Sequence, residues 1–116
     1  MASATFLRER VIEACKARIL RHEQRVEADR EAAIADQMAP RSWLEALFTW
    51  RAAKTREQAI ERLKRPHSRF GHTAWDYCAV RGDYWYREAR RILQMAQESD
   101  GTHVILTHED TWIFKE

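Results

Sequence analysis

Two cysteines, two prolines and three glycines are all that 116 residues contain, and each scarcity excludes a class of protein. Two isolated thiols, Cys15 and Cys78, cannot build the disulfide framework of a small secreted domain, so both are expected as reduced core thiols of a cytoplasmic chain. So little proline and glycine, beside 33% charged and 45% hydrophobic residues, excludes linker-like and disordered compositions and points to a helical globular protein. No apolar run approaches the roughly 18 residues of a membrane span. The opening MASATFLRERVIEACK carries charges every few residues, unlike a signal peptide. There is no internal repeat and no low-complexity stretch.

Catalytic motifs are missing too. A Gly-rich phosphate loop, G-x-S-x-G, H-E-x-x-H and a close carboxylate pair on an apolar helix face are all absent, so a non-enzymatic protein without cofactor or metal is expected. His67/His72 and His103/His108, with Cys78, are zinc-type donors, but they flank a connector and a turn instead of forming one compact set, and solvated loop histidines are expected. His103, His108 and Asp110 form the remaining enzymatic alternative, metal-free RNA cleavage. His22 falls in an apolar stripe with Asp29 one heptad on, where a hydrogen-bonded core histidine is expected.

What is present is helical periodicity. Residues 4–39 lack glycine and proline, and Leu7, Val11, Ile12, Cys15, Ile19, Val26 and Ala33 share one stripe, which predicts a long amphipathic helix. Its second half, with Val26 and Ile34 as its large apolar groups, buries little. Pro40 stops it, and Ser42 with Glu45 marks the cap of a second helix over 42–65, ended by Pro66. Trp43, Leu44, Leu47 and Phe48 are expected to fold back on the first helix as an antiparallel hairpin. The apolar face rotates near Ala53–Thr55, where Thr55 and Gln58 form another cap, so one kinked helix and two short ones both stay open.

Thr73 with Asp76 caps a third helix, 73–98, in which Trp75, Cys78, Gly82, Trp85, Ala89, Ile92 and Ala96 recur at steps of three and four as a core stripe that also takes in Tyr86 and Leu93. Gly82 is expected to admit a close backbone approach within this helix. Gly101 is expected in a left-handed cap, followed by a β-hairpin over 103–115. The expected fold is a single α+β domain, predominantly α-helical: a long helical hairpin, a central helix and a C-terminal β-hairpin.

Charge and aromatics frame the function. The net charge is +2, with 15 basic against 10 acidic residues in 1–70 and 5 against 8 in 71–116. Tyr77, Tyr84 and Arg91, seven apart, and Met95 form a second flank beside the core stripe. Tyrosine, tryptophan, methionine and arginine are enriched where interfaces lose water. The leading expectation is therefore a small non-enzymatic protein-binding module, an adaptor or inhibitor, using Tyr77, Tyr84, Arg91, Met95, Trp43, Trp50 and Trp112 against a larger protein or a second copy of itself. In its Ala, Arg, Glu and Trp content the chain resembles small accessory proteins of phages and mobile elements, which implies a host protein complex as target. The alternative is nucleic-acid binding by the basic segment 51–72 through Arg51, Lys54, Arg56, Arg62, Lys64, Arg65 and Arg69.

Overall fold

The chain opens as a strand, not as a helix. In the computed structural model, which describes residues 3–39, 52–66 and 71–115, Ser3–Leu7 form strand β1 and Arg8–Met38 form helix α1. β1 pairs antiparallel with β2, His103–Thr107, setting Ala4 opposite Leu106, Thr5 opposite Ile105 and Phe6 opposite Val104. In β2, Val104 and Leu106 are buried while His103, Ile105 and Thr107 are exposed, the period of two that a half-buried strand requires. Its partner residues lie almost a full chain length away, so helical spacing from position 4 misassigns β1. Leu7, expected in the helical stripe, is exposed on the outer face of the ribbon.

The hairpin expected over 103–115 is corrected as well. After β2 the chain turns into a six-residue 3-10 helix, η1, Glu109–Phe114. The Asp110 N–H donates to Thr107 Oγ1 at 3.4 Å and the Thr111 hydroxyl to the His108 carbonyl at 2.7 Å, which starts the turn. With three residues per turn, the contiguous Trp112, Ile113 and Phe114 point in different directions, and Ile113 alone of them is fully inside.

The remaining helices are α2, Arg56–Leu63, α3, Ala74–Val80, and α4, Tyr84–Glu98. The fold is α+β and predominantly helical, with two compact units: a terminal unit of the residues up to Gln24 and from Gly82 onward, and a middle unit, Arg25–Arg81. α1 passes from the first into the second. Among the described residues no helix is long and apolar enough to cross a membrane.

In the terminal unit, Val11 and Cys15 of α1, Ile92 and Ala96 of α4, Val104 and Leu106 of β2 and Ile113 of η1 form one buried cluster, with Phe6, Leu93 and Phe114 packed on it. Arg8 closes it. Its backbone N–H donates to the Thr102 carbonyl at 2.9 Å, and its guanidinium donates to the carbonyls of Ala96 at 2.6 Å and Gln97 at 2.8 Å. Carbonyls in the last turn of a helix lack partners within it and carry the negative end of its dipole. α4 has no basic residue in its own last turn, so Arg8 supplies the charge from across the fold.

The middle unit has a smaller core of Ile34, Ala53, Ala59 and Leu63, with Ile60, Ala74 and Trp75 against it. Two of the three expected N-caps form, and the third, at Ser42, falls outside the described residues: Thr55 Oγ1 accepts from the Gln58 N–H and Thr73 Oγ1 from the Asp76 N–H, each at 3.1 Å. The cap at Thr55 gives α2 its own start, so the described part of 42–65 is a separate short helix; Ser42, Trp43, Leu44, Glu45, Leu47, Phe48 and Trp50 lie outside the described residues. The Ala53 N–H donates to the Gln37 carbonyl at 2.8 Å, bringing the chain back to the end of α1. The Arg30 guanidinium lies 4.5 Å and the Lys64 ammonium 5.2 Å from the centre of the Trp75 ring.

The expected helix 73–98 is broken. α3 ends at Val80, Gly82 adopts φ +68° and α4 begins at Tyr84. A side chain at Gly82 would meet nothing within 4 Å, so no backbone approaches it and its glycine serves the left-handed turn alone. Gly101 reverses the other expectation. It is not among the described glycines with positive φ; α4 ends through extended Ser99, and a Cβ on Gly101 would stand 3.4 Å from the His103 carbonyl.

Gly82→Ala is expected to lower stability by about 1–2 kcal/mol, the penalty of a left-handed L-residue, and Gly82→Asn by less; equal melting temperatures for all three proteins would refute the assignment. Arg8→Ala is expected to lower the denaturation midpoint by about 1–3 kcal/mol equivalent, with Arg8→Lys restoring only part because an ammonium cannot span two carbonyls as a fork does.

Candidate functional site

The first turn of α4 lies past the buried cluster, and its rings face outward. Trp85, expected in the core, is 55% exposed, and Tyr84 beside it is 57% exposed. Trp85 stands on the same helical line as Ala89, Ile92 and Ala96, but the buried face of α4 starts only at Ala89, one turn further on, and the break at Gly82 leaves no continuous helix before it. Trp85 leans on Trp112 of η1 with ring centroids 4.7 Å apart, and Tyr84 meets Trp85 edge-on at 4.9 Å. Tyr86 points the other way and stacks on His22 of α1 at 4.3 Å.

These rings border an open pocket of about 360 Å³, lined by Trp85, Tyr86 and Trp112 together with Arg18, Arg21 and Lys115. Arg18 is held in place, its guanidinium 5.4 Å from the Trp112 ring centre and donating to the Trp112 carbonyl at 3.3 Å. A second pocket of about 330 Å³ shares Arg18, Arg21 and Lys115 and adds Arg10, which lies 4.8 Å over Phe114. Arg10, Ala14, Arg18 and Arg21 follow at steps of four, four and three, so α1 presents them as one row.

Of the residues expected to bind a partner, Tyr84, Arg91 and Met95 do share a flank of α4. Arg91 is engaged there: it donates to Glu88 Oε2 at 2.8 Å and to Asp110 Oδ1 at 2.9 Å, tying η1 to α4. The hydrogen bond to Glu88, and then Asp110, raise its already high pKa against the effect of burial. Tyr77 is 56% exposed but belongs to α3 in the middle unit, so the heptad linking it to Tyr84 and Arg91 does not define one helix face. Trp112 is half-buried under Trp85, and Trp43 and Trp50 lie outside the described residues.

The basic segment is largely spoken for. Arg56 forms a two-pronged ion pair with Glu31, which lowers the Glu31 pKa through that hydrogen bond. Arg65 stands 3.8 Å from Glu61, and Lys64 lies over Trp75. Arg62 is half-buried and Lys54 exposed, while Arg51 and Arg69 lie outside the described residues.

Neither histidine arrangement converges. His103 begins β2 while His108 lies past its other end, at the start of η1, and Asp110 is taken by Arg91. Asp29, the expected acid for His22, pairs with Arg25 at 2.8 Å. His67 lies outside the described residues, and among those described no three His, Cys, Asp or Glu side chains gather around a metal-sized space.

Sequence reasoning missed Trp85, Tyr86, Arg18, Arg21 and Lys115. The row Arg10, Arg18, Arg21 at helical spacing was a readable signal; the placing of Lys115 and Trp112 against it was not. Comparison with protein-family models, with curated proteins and with solved structures matches none of them to this chain.

Both cysteines are free thiols, Cys15 buried in the cluster and Cys78 half-buried in α3. Burial first, and the Asp110 carboxylate second, push the Cys15 thiol up from 9.0 to about 11. The native thiol therefore stays protonated where the unfolded one ionises, so its contribution to stability is complete below pH 9.0 and is lost as pH rises toward about 11. At pH 8 a thiol reagent is expected to modify Cys78 rapidly and Cys15 only on unfolding; equal rates for both in the native protein would contradict the burial of Cys15.

Proposed function

We propose that this chain is a non-enzymatic protein-binding module, an adaptor or inhibitor acting in the cytoplasm, that docks on a larger protein through the Tyr84, Trp85 and Trp112 surface of its terminal unit. The observation that carries this reading is Trp85: an indole more than half exposed, yet held on a helix by rings on two sides. Rings ordered before binding lose little entropy when they dock, and tryptophan and tyrosine dominate binding energy at interfaces. The composition, similar to that of phage and mobile-element accessory proteins, supports a host protein complex as target. Nucleic-acid binding by the segment 51–72 has less in its favour, since Arg56 and Arg65 already meet carboxylates and Lys64 lies on Trp75.

Trp85→Ala is expected to leave the helical circular dichroism intact while weakening partner binding by 2 kcal/mol or more, roughly thirtyfold. Affinity capture from the source organism's lysate at low and high salt, followed by mass spectrometry, compares the variant with the parent chain. One protein recovered in stoichiometric amount with the parent and lost with Trp85→Ala supports the reading. Capture of the same set by both, or binding of nucleic acid alone with a steep salt response, overturns it.

A further inference from the structure

The row of cations beside the aromatic rings specifies the partner's chemistry. Among the described residues Arg10, Arg18, Arg21 and Lys115 have no carboxylate within ion-pair distance, whereas Arg87 and Arg91 of the same unit pair with Asp83, Glu88 and Asp110. Arg10 and Arg18 lie over Phe114 and Trp112 instead, 4.8 and 5.4 Å from the ring centres, and among the described residues the one polar contact of Arg18 is to the Trp112 carbonyl, not to a carboxylate. Both pockets share Arg18, Arg21 and Lys115, and Glu13 is the one carboxylate that lines either.

We infer that this cleft binds a short acidic peptide segment of the partner protein, its carboxylates on Arg18, Arg21 and Lys115 and one aromatic side chain against Trp85 and Trp112. The inference rests on the protein-binding reading and names its ligand. The pocket of about 360 Å³ lies at the low end of ligand-site volumes, about 300–1,000 Å³, and takes a single large side chain. Charge balance selects a peptide over a nucleic acid. The described part of the terminal unit holds nine basic and nine acidic residues, so it carries no net positive charge to attract a long polyanion. A long polyanion requires a basic face and would meet Asp83, Glu88 and Asp110 on α4 and η1, while a few carboxylates around one ring require only the row itself.

The test titrates the full chain with an acetylated, amidated pentapeptide, Asp-Glu-Phe-Asp-Glu, and follows tryptophan fluorescence. The same peptide with serine in place of each acid and a ten-residue oligothymidine serve as comparators. Saturable binding of the acidic peptide is expected, weakened by about tenfold or more in Arg21→Glu, in Lys115→Glu and in Trp85→Ala, with both comparators binding less tightly. Circular dichroism establishes that each variant is folded, and Arg21→Gln replaces Arg21→Glu if the reversal unfolds the chain. No saturable binding of the acidic peptide overturns the inference, as does tighter binding of the oligothymidine or indifference to both charge reversals. A cellular partner that depends on Trp85 but not on Arg21 or Lys115 leaves the protein-binding reading standing and removes the acidic peptide; a partner indifferent to Trp85 removes both.

Discussion

The pairing of β1 with β2 is the constraint on which the terminal unit depends. A two-stranded ribbon is marginal in water by itself, and here it is stabilised because Phe6, Val104 and Leu106 share one face and pack with Val11, Cys15, Ile92 and Ala96. The loop that must close is nearly the whole chain, yet closure entropy grows only with the logarithm of length, so a few buried side chains offset it. Arg8 sits where strand becomes helix and joins the same closure to the end of α4, making ribbon, α1 and α4 interdependent.

The candidate site is a consequence of that closure and of one turn. η1 follows β2 directly, so the ribbon determines where Trp112 and Lys115 fall relative to α1. Gly82 restarts the helix, so the first turn of α4 extends beyond the core and carries Tyr84 and Trp85 into solvent. Arg91 with Glu88 and Asp110 keeps η1 against α4, and Arg18 keeps Trp112 against α1. Trp85, Trp112 and Arg18 are thus each held by a second element, as a surface must be if it is to bind without first paying to become rigid.

The middle unit is built differently. Its buried cluster is rich in alanine, which removes little apolar area from water, so capping and charge assume more of the work. Thr55 and Thr73 satisfy the first turns of α2 and α3, Arg30 and Lys64 cover Trp75, and Arg25 donates to the Arg81 carbonyl at 2.5 Å where α3 ends. Of the basic residues that in isolation read as a phosphate track, Lys64 covers Trp75, and Arg56 and Arg65 meet Glu31 and Glu61.

Local chemistry was legible in the sequence wherever its causes are local. The helical run through α1, the caps at Thr55 and Thr73, the stop before Pro66, the buried face of Ala89, Ile92 and Ala96 and the predominantly helical α+β class all follow from spacing and side-chain hydrogen bonding within a few residues. The tertiary structure alone decided that Ser3–Leu7 is a strand, that Trp112 begins a platform instead of a hairpin arm, and that Trp85 faces out while Arg91 is tied down. Each of those outcomes depends on a partner far along the chain or on how far the core reaches along a helix, and periodicity within a window carries neither.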